Sequence, residues 1–195
     1  MRTVFFSGSS RTAKQVVFSG VDAESDMVGI CVRTAEALAS SGTGRVCLVE
    51  ADSHARALEK RYGRTSNDGF DSSEAAGALP MSSHQISENV WLIPANAFSA
   101  HANTQSALSL ANRLRDLRRG FDYTVMHAAP VSESSATAQL ARLVDGLVLG
   151  IAAHRTRRMA AKKAQEHLRD AQVRLLGVVL SERRFPIPER LYRRL

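Results

Sequence analysis

Six short runs, "VVFSG" at 16–20, "VCLV" at 46–49, "VWLIP" at 90–94, "YTVMH" at 123–127, "GLVLGIA" at 146–152 and "LLGVVL" at 175–180, are apolar almost without alternation. A strand with one wet face alternates polar and apolar residues, whereas a strand covered on both faces does not, so these runs point to a parallel sheet between two helical layers. Helical periodicity fills the gaps, near 28–41, 54–62, 104–119, 135–143 and 155–172. Strand and helix in regular turn predict a doubly wound, mostly parallel α/β sheet with right-handed crossovers. Residues 63–85, rich in Ser, Gly and Asp and without a period, are expected to form a long surface loop. No internal repeat or second domain is visible, and 195 residues suffice for one domain with a sizeable core.

Several function classes lack their residues. The two cysteines, Cys31 and Cys47, fall within a predicted helix and a predicted strand and read as buried apolar groups, not as a disulfide. The start "MRTVFFSGSS" has an apolar run of three residues, too short for a secretory signal, and the apolar stretch at 143–153 is interrupted by Asp145, so a cytoplasmic protein is expected. The histidines show no zinc-type spacing, a G-x-S-x-G elbow is absent, and Trp91 and Phe98 read as packing residues without an RNA-binding signature.

Charge is uneven. Residues 151–195 carry 12 Lys/Arg against 4 Asp/Glu, or +8 of the total of +7, which leaves −1 for the first 150. Such an end can meet anionic headgroups, nucleic acid or an acidic protein face. Arg155, Arg157, Arg158, Lys162, Lys163 and Arg169 also fit a solvated helix face.

In open parallel sheets ligands bind beyond the carboxyl ends of the strands, which singles out residues 20–28, Glu50 to Asp52, and His127 to Pro130. The first, within "VVFSGVDAESDMVGICVRTAEALA", has the strand, bend and helix of a phosphate-binding loop. It lacks the glycines, the lysine and the hydroxyl at the spacing such a loop uses to hold phosphate and magnesium. "SGSS" and "SGTG" are turns with no lysine to follow.

These strand ends, in order with "GRVCLVEADSHARALEKRYG", "RGFDYTVMHAAPV", "LVDGLVLGIAAHRTRR" and "LLGVVLSERRFPIPERLYRRL", resemble the cytoplasmic domain of bacterial tyrosine autokinases of capsular and exopolysaccharide biosynthesis. That family belongs to the deviant P-loop ATPases, with the septum-site and chromosome-partitioning ATPases. The resemblance spans nearly the whole chain from about residue 4, and implies that "RTVFFSG" is the last turn of a helix whose earlier part the family has and this chain lacks. It places the family's Pro-Gly-Glu-Gly-Lys-Ser/Thr on Ala23, Glu24, Ser25, Asp26, Met27 and Val28, so Met27 stands at the lysine and Val28 at the hydroxyl, with Gly29 next. The two aspartates of the second motif fall on Glu50 and Asp52, the metal-associated aspartate of the third on His127, and its Thr-Pro-Pro on Ala128, Ala129 and Pro130. The C-terminal tyrosine cluster, the autophosphorylation site, is represented by Tyr192 within a basic tail at 183–195.

The resemblance therefore implies the family's frame without its catalytic set: no catalytic residue, no bound cofactor, and no metal, Asp52 being the one retained candidate ligand. Asp22, Glu24 and Asp26 would lie near Glu50 and Asp52, where each like-charge contact with a triphosphate costs about 3–4 kcal/mol. Each position also has a structural reading: Ser25 or Asp26 as a helix cap, Met27 as a space filler, His127 as a hydrogen-bonded core histidine. The expected role is that of a pseudo-ATPase docking on a membrane-embedded chain-length or export regulator, or on an active paralogue, at the inner face of the membrane. Association with an active paralogue or with its own copies is a further expectation, through an acidic pocket of Asp22, Glu24, Asp26 and Asp52 that accepts a neighbour's arginine from residues 155–158 or from Arg183, Arg184, Arg190, Arg193 and Arg194. Two rivals stand beside it. One is a divergent ATPase or tyrosine kinase that binds ATP and magnesium with Lys14 or Lys60 folded into the loop, and the other a partitioning-like module holding nucleic acid without sequence specificity.

Overall fold

β1, Gln15–Gly20, is buried along its whole length and lies at the middle of the sheet. The computed structural model describes residues 13–42, 44–63, 83–99 and 107–182; the expected N-terminal helix turn, most of the 63–85 loop, Tyr192 and the 183–195 tail lie outside these. Seven strands form one sheet in the order β3-β4-β2-β5-β1-β6-β7. They are β1, β2 (Val46–Glu50), β3 (His84–Ser87), β4 (Val90–Ile93), β5 (Tyr123–His127), β6 (Gly146–Ala152) and β7 (Leu175–Ser181). Every pairing is parallel except β3 with β4.

The unbroken apolar runs have the anticipated cause. Along β1, Val16 and Phe18 face one core and Val17 faces another. The first core takes Ile30, Cys31 and Leu38 of α1 (Met27–Ser40) and Leu58 of α2 (Ala57–Arg61). The second takes Leu114 and Leu117 of α4 (Ala107–Gly120), Leu140 of α5 (Ser135–Leu143) and Leu168 of α6 (Arg158–Asp170). A short helix α3, Ala95–Ser99, follows β4.

Three boundaries differ from the sequence reading. Residues 84–85, assigned above to the long loop, open β3, an edge strand whose polar sequence is tolerated because alternate residues are exposed; Asn89, at φ 59°, turns the chain into β4. α2 starts at Ala57, not at 54, because Arg56 is left-handed at φ 48°. α6 starts at Arg158, not at 155, because the Thr156 hydroxyl oxygen accepts the N–H of Ala152 at 3.0 Å.

The entry to β1 is fixed by Asp145. Its carboxylate accepts the N–H groups of Lys14 and Gln15, both at 2.8 Å, and a guanidinium N–H of Arg118 at 2.8 Å. Arg118 Nε donates to Gln15 Oε1 at 2.9 Å, and buried Gln15 donates to the Leu114 carbonyl at 2.8 Å. β1, α4 and the turn before β6 are thus tied at one point. Burial pushes the Asp145 carboxyl up, but the hydrogen bonds from Arg118, Gln15 and Lys14 outweigh it and hold it below the usual carboxylate range.

A depressed carboxyl contributes stability above its unfolded-state pKa and loses it as pH falls through the folded-state value. Asp145→Ala is therefore expected to cost about 2 kcal/mol at neutral pH, the scale of hydrogen bonds to a charged group. The gap to wild type should close as pH falls below about 4. Denaturant titrations of both proteins across that range check it; a gap that persists unchanged into acid would show that the charge is not what holds the strand.

Candidate functional site

The bend between β1 and α1 lies at the carboxyl ends of β1, β5 and β6. Val21 N–H donates to the Gly150 carbonyl at 2.9 Å, and Val131 N–H to the Gly20 carbonyl at 2.9 Å, so the bend is clasped from both sides. Its acidic side chains, half-buried at Asp22 and exposed at Glu24 and Asp26, are each met by a donor of this chain. Asp26 caps α1, its carboxylate accepting the Gly29 N–H at 2.8 Å, the place on a helix N-terminus where a phosphate oxygen is held in a nucleotide-binding loop. Gly29 is required there, because a Cβ would come within 2.2 Å of an Asp26 carboxylate oxygen.

Asp22 accepts the N–H of Glu24 and the hydroxyl of Thr156, both at 3.2 Å. Glu24 pairs with Arg155 at 2.9 Å, and Arg155 Nε lies 3.7 Å from Glu182 beyond β7. The cation that meets this loop comes from the segment after β6. Met27 is 3% exposed and packs on Gly150, where a Cβ would lie 2.0 Å from its sulfur. The lysine position of the family pattern thus carries a thioether in a space that a strand glycine leaves open.

Beneath the bend, Glu50 at the end of β2 is fully buried. One carboxyl oxygen takes the Leu58 N–H at 2.7 Å; the other contacts His127 Nδ1 at 2.8 Å and the Asp52 N–H at 3.2 Å. His127 ends β5 and faces Glu50 across the β2–β5 ladder, so the pairing follows from register. With a carboxylate as its partner, Nδ1 carries the hydrogen. Asp52 folds onto its own turn, accepting the N–H groups of His54 at 3.0 Å and Ala55 at 3.1 Å. Buried Glu59 continues this layer, accepting from Ala95 N–H at 2.8 Å and Arg56 Nε at 3.0 Å.

The structure brings together the loop at 20–28, Glu50, Asp52 and His127, as the strand-end argument placed them. Asp22, Glu24 and Asp26 each accept from a donor of this chain. Arg183, Arg184, Arg190, Arg193 and Arg194 lie outside the described residues. Lys14 stands at the opposite end of β1, its N–H on Asp145, and does not serve the loop. Among the described residues no group of three or more His, Cys, Asp or Glu is disposed to hold a metal, and no helix is long and apolar enough to cross a membrane. Cys31 and Cys47 are free thiols pushed up by burial, Cys31 also by the charges of Glu50 and Asp26.

Sequence reasoning missed Thr156 as a partner of the loop, and it considered the arginines of 155–158 as counter-charges only from a neighbouring copy, whereas Arg155 meets Glu24 within this chain. The strand-end rule covers β6 as well as the three ends considered, and applied there it selects this segment.

No protein-family profile matches the chain, and no curated protein matches it in sequence. Solved structures do. The chimerical protein CapA2B2 superposes with a TM-score of 0.73 at 15% identity, over 92% of this chain and 80% of that one. The VpsO kinase domain gives 0.72 at 18% identity, over 88% and 86%, and the kinase domain of Escherichia coli tyrosine kinase ETK gives 0.65 at 13% identity, over 90% and 71%. A plasmid partition protein, a ParA-family ATPase and a MinC:MinD complex share the architecture. The fold is that of the tyrosine-kinase and ParA/MinD-type domains to which the sequence resemblance pointed.

Putting the family's aspartate back at 127 sets a second carboxyl against buried Glu50. His127→Asp is expected to cost about 3 kcal/mol or more, the scale of an uncompensated buried charge, and His127→Asn, which keeps a donor, clearly less. Chemical denaturation of the two variants checks this; equal stability would mean that the His127–Glu50 contact contributes nothing.

Proposed function

We propose that this protein is a tyrosine-autokinase-like pseudo-ATPase, which acts through protein contacts in capsular or exopolysaccharide assembly without binding ATP and magnesium. The observation that carries the reading is the Asp26 carboxylate on the Gly29 N–H, with Met27 buried against Gly150. An internal anion takes the helix N-terminus and a neutral side chain takes the lysine's place, so a triphosphate would have to displace one and would find no cation in the other. Asp52, the retained candidate metal ligand, already holds two backbone N–H groups. These residues do not fit the nucleotide or its ion.

The role in assembly is supported by the kinase domains that share the fold and by the sequence blocks quoted above. A protein of this architecture has been solved bound to another, in the MinC:MinD complex. The partner that suits this reading is a membrane chain-length or export regulator, or an active paralogue.

Mg·ATP titrated into the protein should give no saturable heat or thermal shift below about millimolar; a bound ligand at 100 times its dissociation constant would stabilise by about 2.7 kcal/mol. A micromolar dissociation constant would overturn the proposal. Replacing Ala23–Val28 by Pro-Gly-Glu-Gly-Lys-Ser removes the Asp26 cap and supplies the lysine, so a gain of binding in that variant would locate the block in this loop.

A further inference from the structure

β7 is an edge strand whose second half is poorly covered. Val178 and Leu180 are each 53% exposed, and Met159 in the first turn of α6 is 63% exposed. Val178 and Leu180 pair with Leu149 and Ile151 of β6, so they lie on the sheet face that α6 covers through Ala164 and Leu168, yet α6 leaves them open. The segment leading into α6 runs beside the end of β7, because Ala153 N–H donates to the Ser181 carbonyl at 2.9 Å and Arg155 reaches Glu182. The start of α6, which carries Met159, thus lies at the same end of the sheet as the end of β7, which carries Val178 and Leu180.

That corner is also its most basic described part. Residues 155–163 hold five cations and no carboxylate. Arg157, Arg158, Lys162 and Lys163 are exposed; Lys162 leans toward Glu166 at 3.8 Å, and among the described residues no carboxylate is within ion-pair distance of the other three. Residues 1–150 carry a net charge of −1 and residues 151–182 carry 7 Lys/Arg against 3 Asp/Glu, or +4, so positive charge among these residues is concentrated after β6.

We propose that this corner, with Arg157, Arg158, Lys162 and Lys163 around Met159, Val178 and Leu180, seats on the surface of an anionic lipid bilayer. Cations alone would suit a nucleic acid equally well. A thioether and two aliphatic side chains set among them gain by leaving water at the headgroup boundary, which a row of phosphates along a duplex does not offer. The long basic stems can lie along that boundary with their charges at the headgroups. The inference goes beyond the proposed function and does not depend on the state of the nucleotide loop.

Vesicle co-sedimentation of the full chain tests it, with phosphatidylcholine alone and with added phosphatidylserine, at low and high salt. Wild type should bind the anionic vesicles and not the neutral ones. Arg158→Glu/Lys162→Glu/Lys163→Glu should bind at least about a hundredfold more weakly, since each of the three near-surface cations contributes on the order of fivefold. Met159→Ser/Leu180→Ser should release from the vesicles at a lower salt concentration than wild type does. Thermal melts establish that both variants fold. The proposal is overturned if wild type ignores anionic vesicles, or if the charge-reversed variant binds them as wild type does, which would assign binding to residues outside this corner. Tighter binding to a short DNA duplex than to the vesicles at equal salt would make the surface a nucleic-acid site, and a dimer in light scattering abolished by Leu180→Lys would give it to a second copy.

Discussion

A carboxyl group with no exposed atom sits under the candidate site, and the arrangement of the carboxyl ends of the strands depends on it. Glu50 receives the Leu58 N–H in the first turn of α2 from one side, the N–H of Asp52 from its own turn, and His127 from the neighbouring strand. Removing water from a carboxylate costs several kcal/mol unless donors replace it, and three donors from three segments do so here. The exit of β2, the exit of β5 and the start of α2 are fixed together for that reason. Glu59 repeats the device one layer out, joining α2 to the start of α3 through Ala95. A buried acid can hold backbone that a buried apolar residue would leave without partners.

Above this layer the bend after β1 faces the opposite difficulty, with carboxylates at its surface and a helix pointing its positive end at them. The fold sorts them by depth. Asp26 meets the helix directly and replaces an external anion; such a cap is worth about 1 kcal/mol. Asp22 is held by a hydroxyl and a backbone N–H. Glu24 and Arg155 are each more than half exposed, 54% and 58%, so their pairing adds at most about 1 kcal/mol. Closure of the bend therefore rests on the helix cap and on the buried methionine packed on Gly150, to which the exposed ion pair adds little.

The sheet was legible because its strands are buried on both faces and announce themselves by composition; β1, β5 and β6 begin and end within a residue of the expected positions. β3 was not, because an edge strand needs neither apolar continuity nor strict alternation. Arg56 shows why helix ends were less legible: its left-handed φ answers to Glu59, which takes its guanidinium, and no residue type marks that in advance. At the site, strand ends and order predicted which residues meet, so Glu50 and His127 were found by position. What they do to one another was not visible, since a pair 77 residues apart becomes a contact only through the parallel register of β2 and β5. Asp145 is the clearest miss: in the sequence it interrupts an apolar stretch, and in the structure it is the latch on β1.

The differences from the family's loop form one set in physical terms. A lysine at 27 would need a path toward phosphate, and Gly150 leaves a space that Met27 fills instead. Asp26 supplies an anion at the helix N-terminus, where a small residue would leave the N–H groups to water or ligand. That cap in turn requires Gly29, since any Cβ there would strike the carboxylate. Glu24, at the exposed rim of the bend, is met by Arg155 from the segment that follows β6. The cap, the methionine packed on Gly150 and the Glu24–Arg155 pair are all contacts that the bend makes within this chain. Substituting one position toward the family pattern leaves the other three arranged for closure.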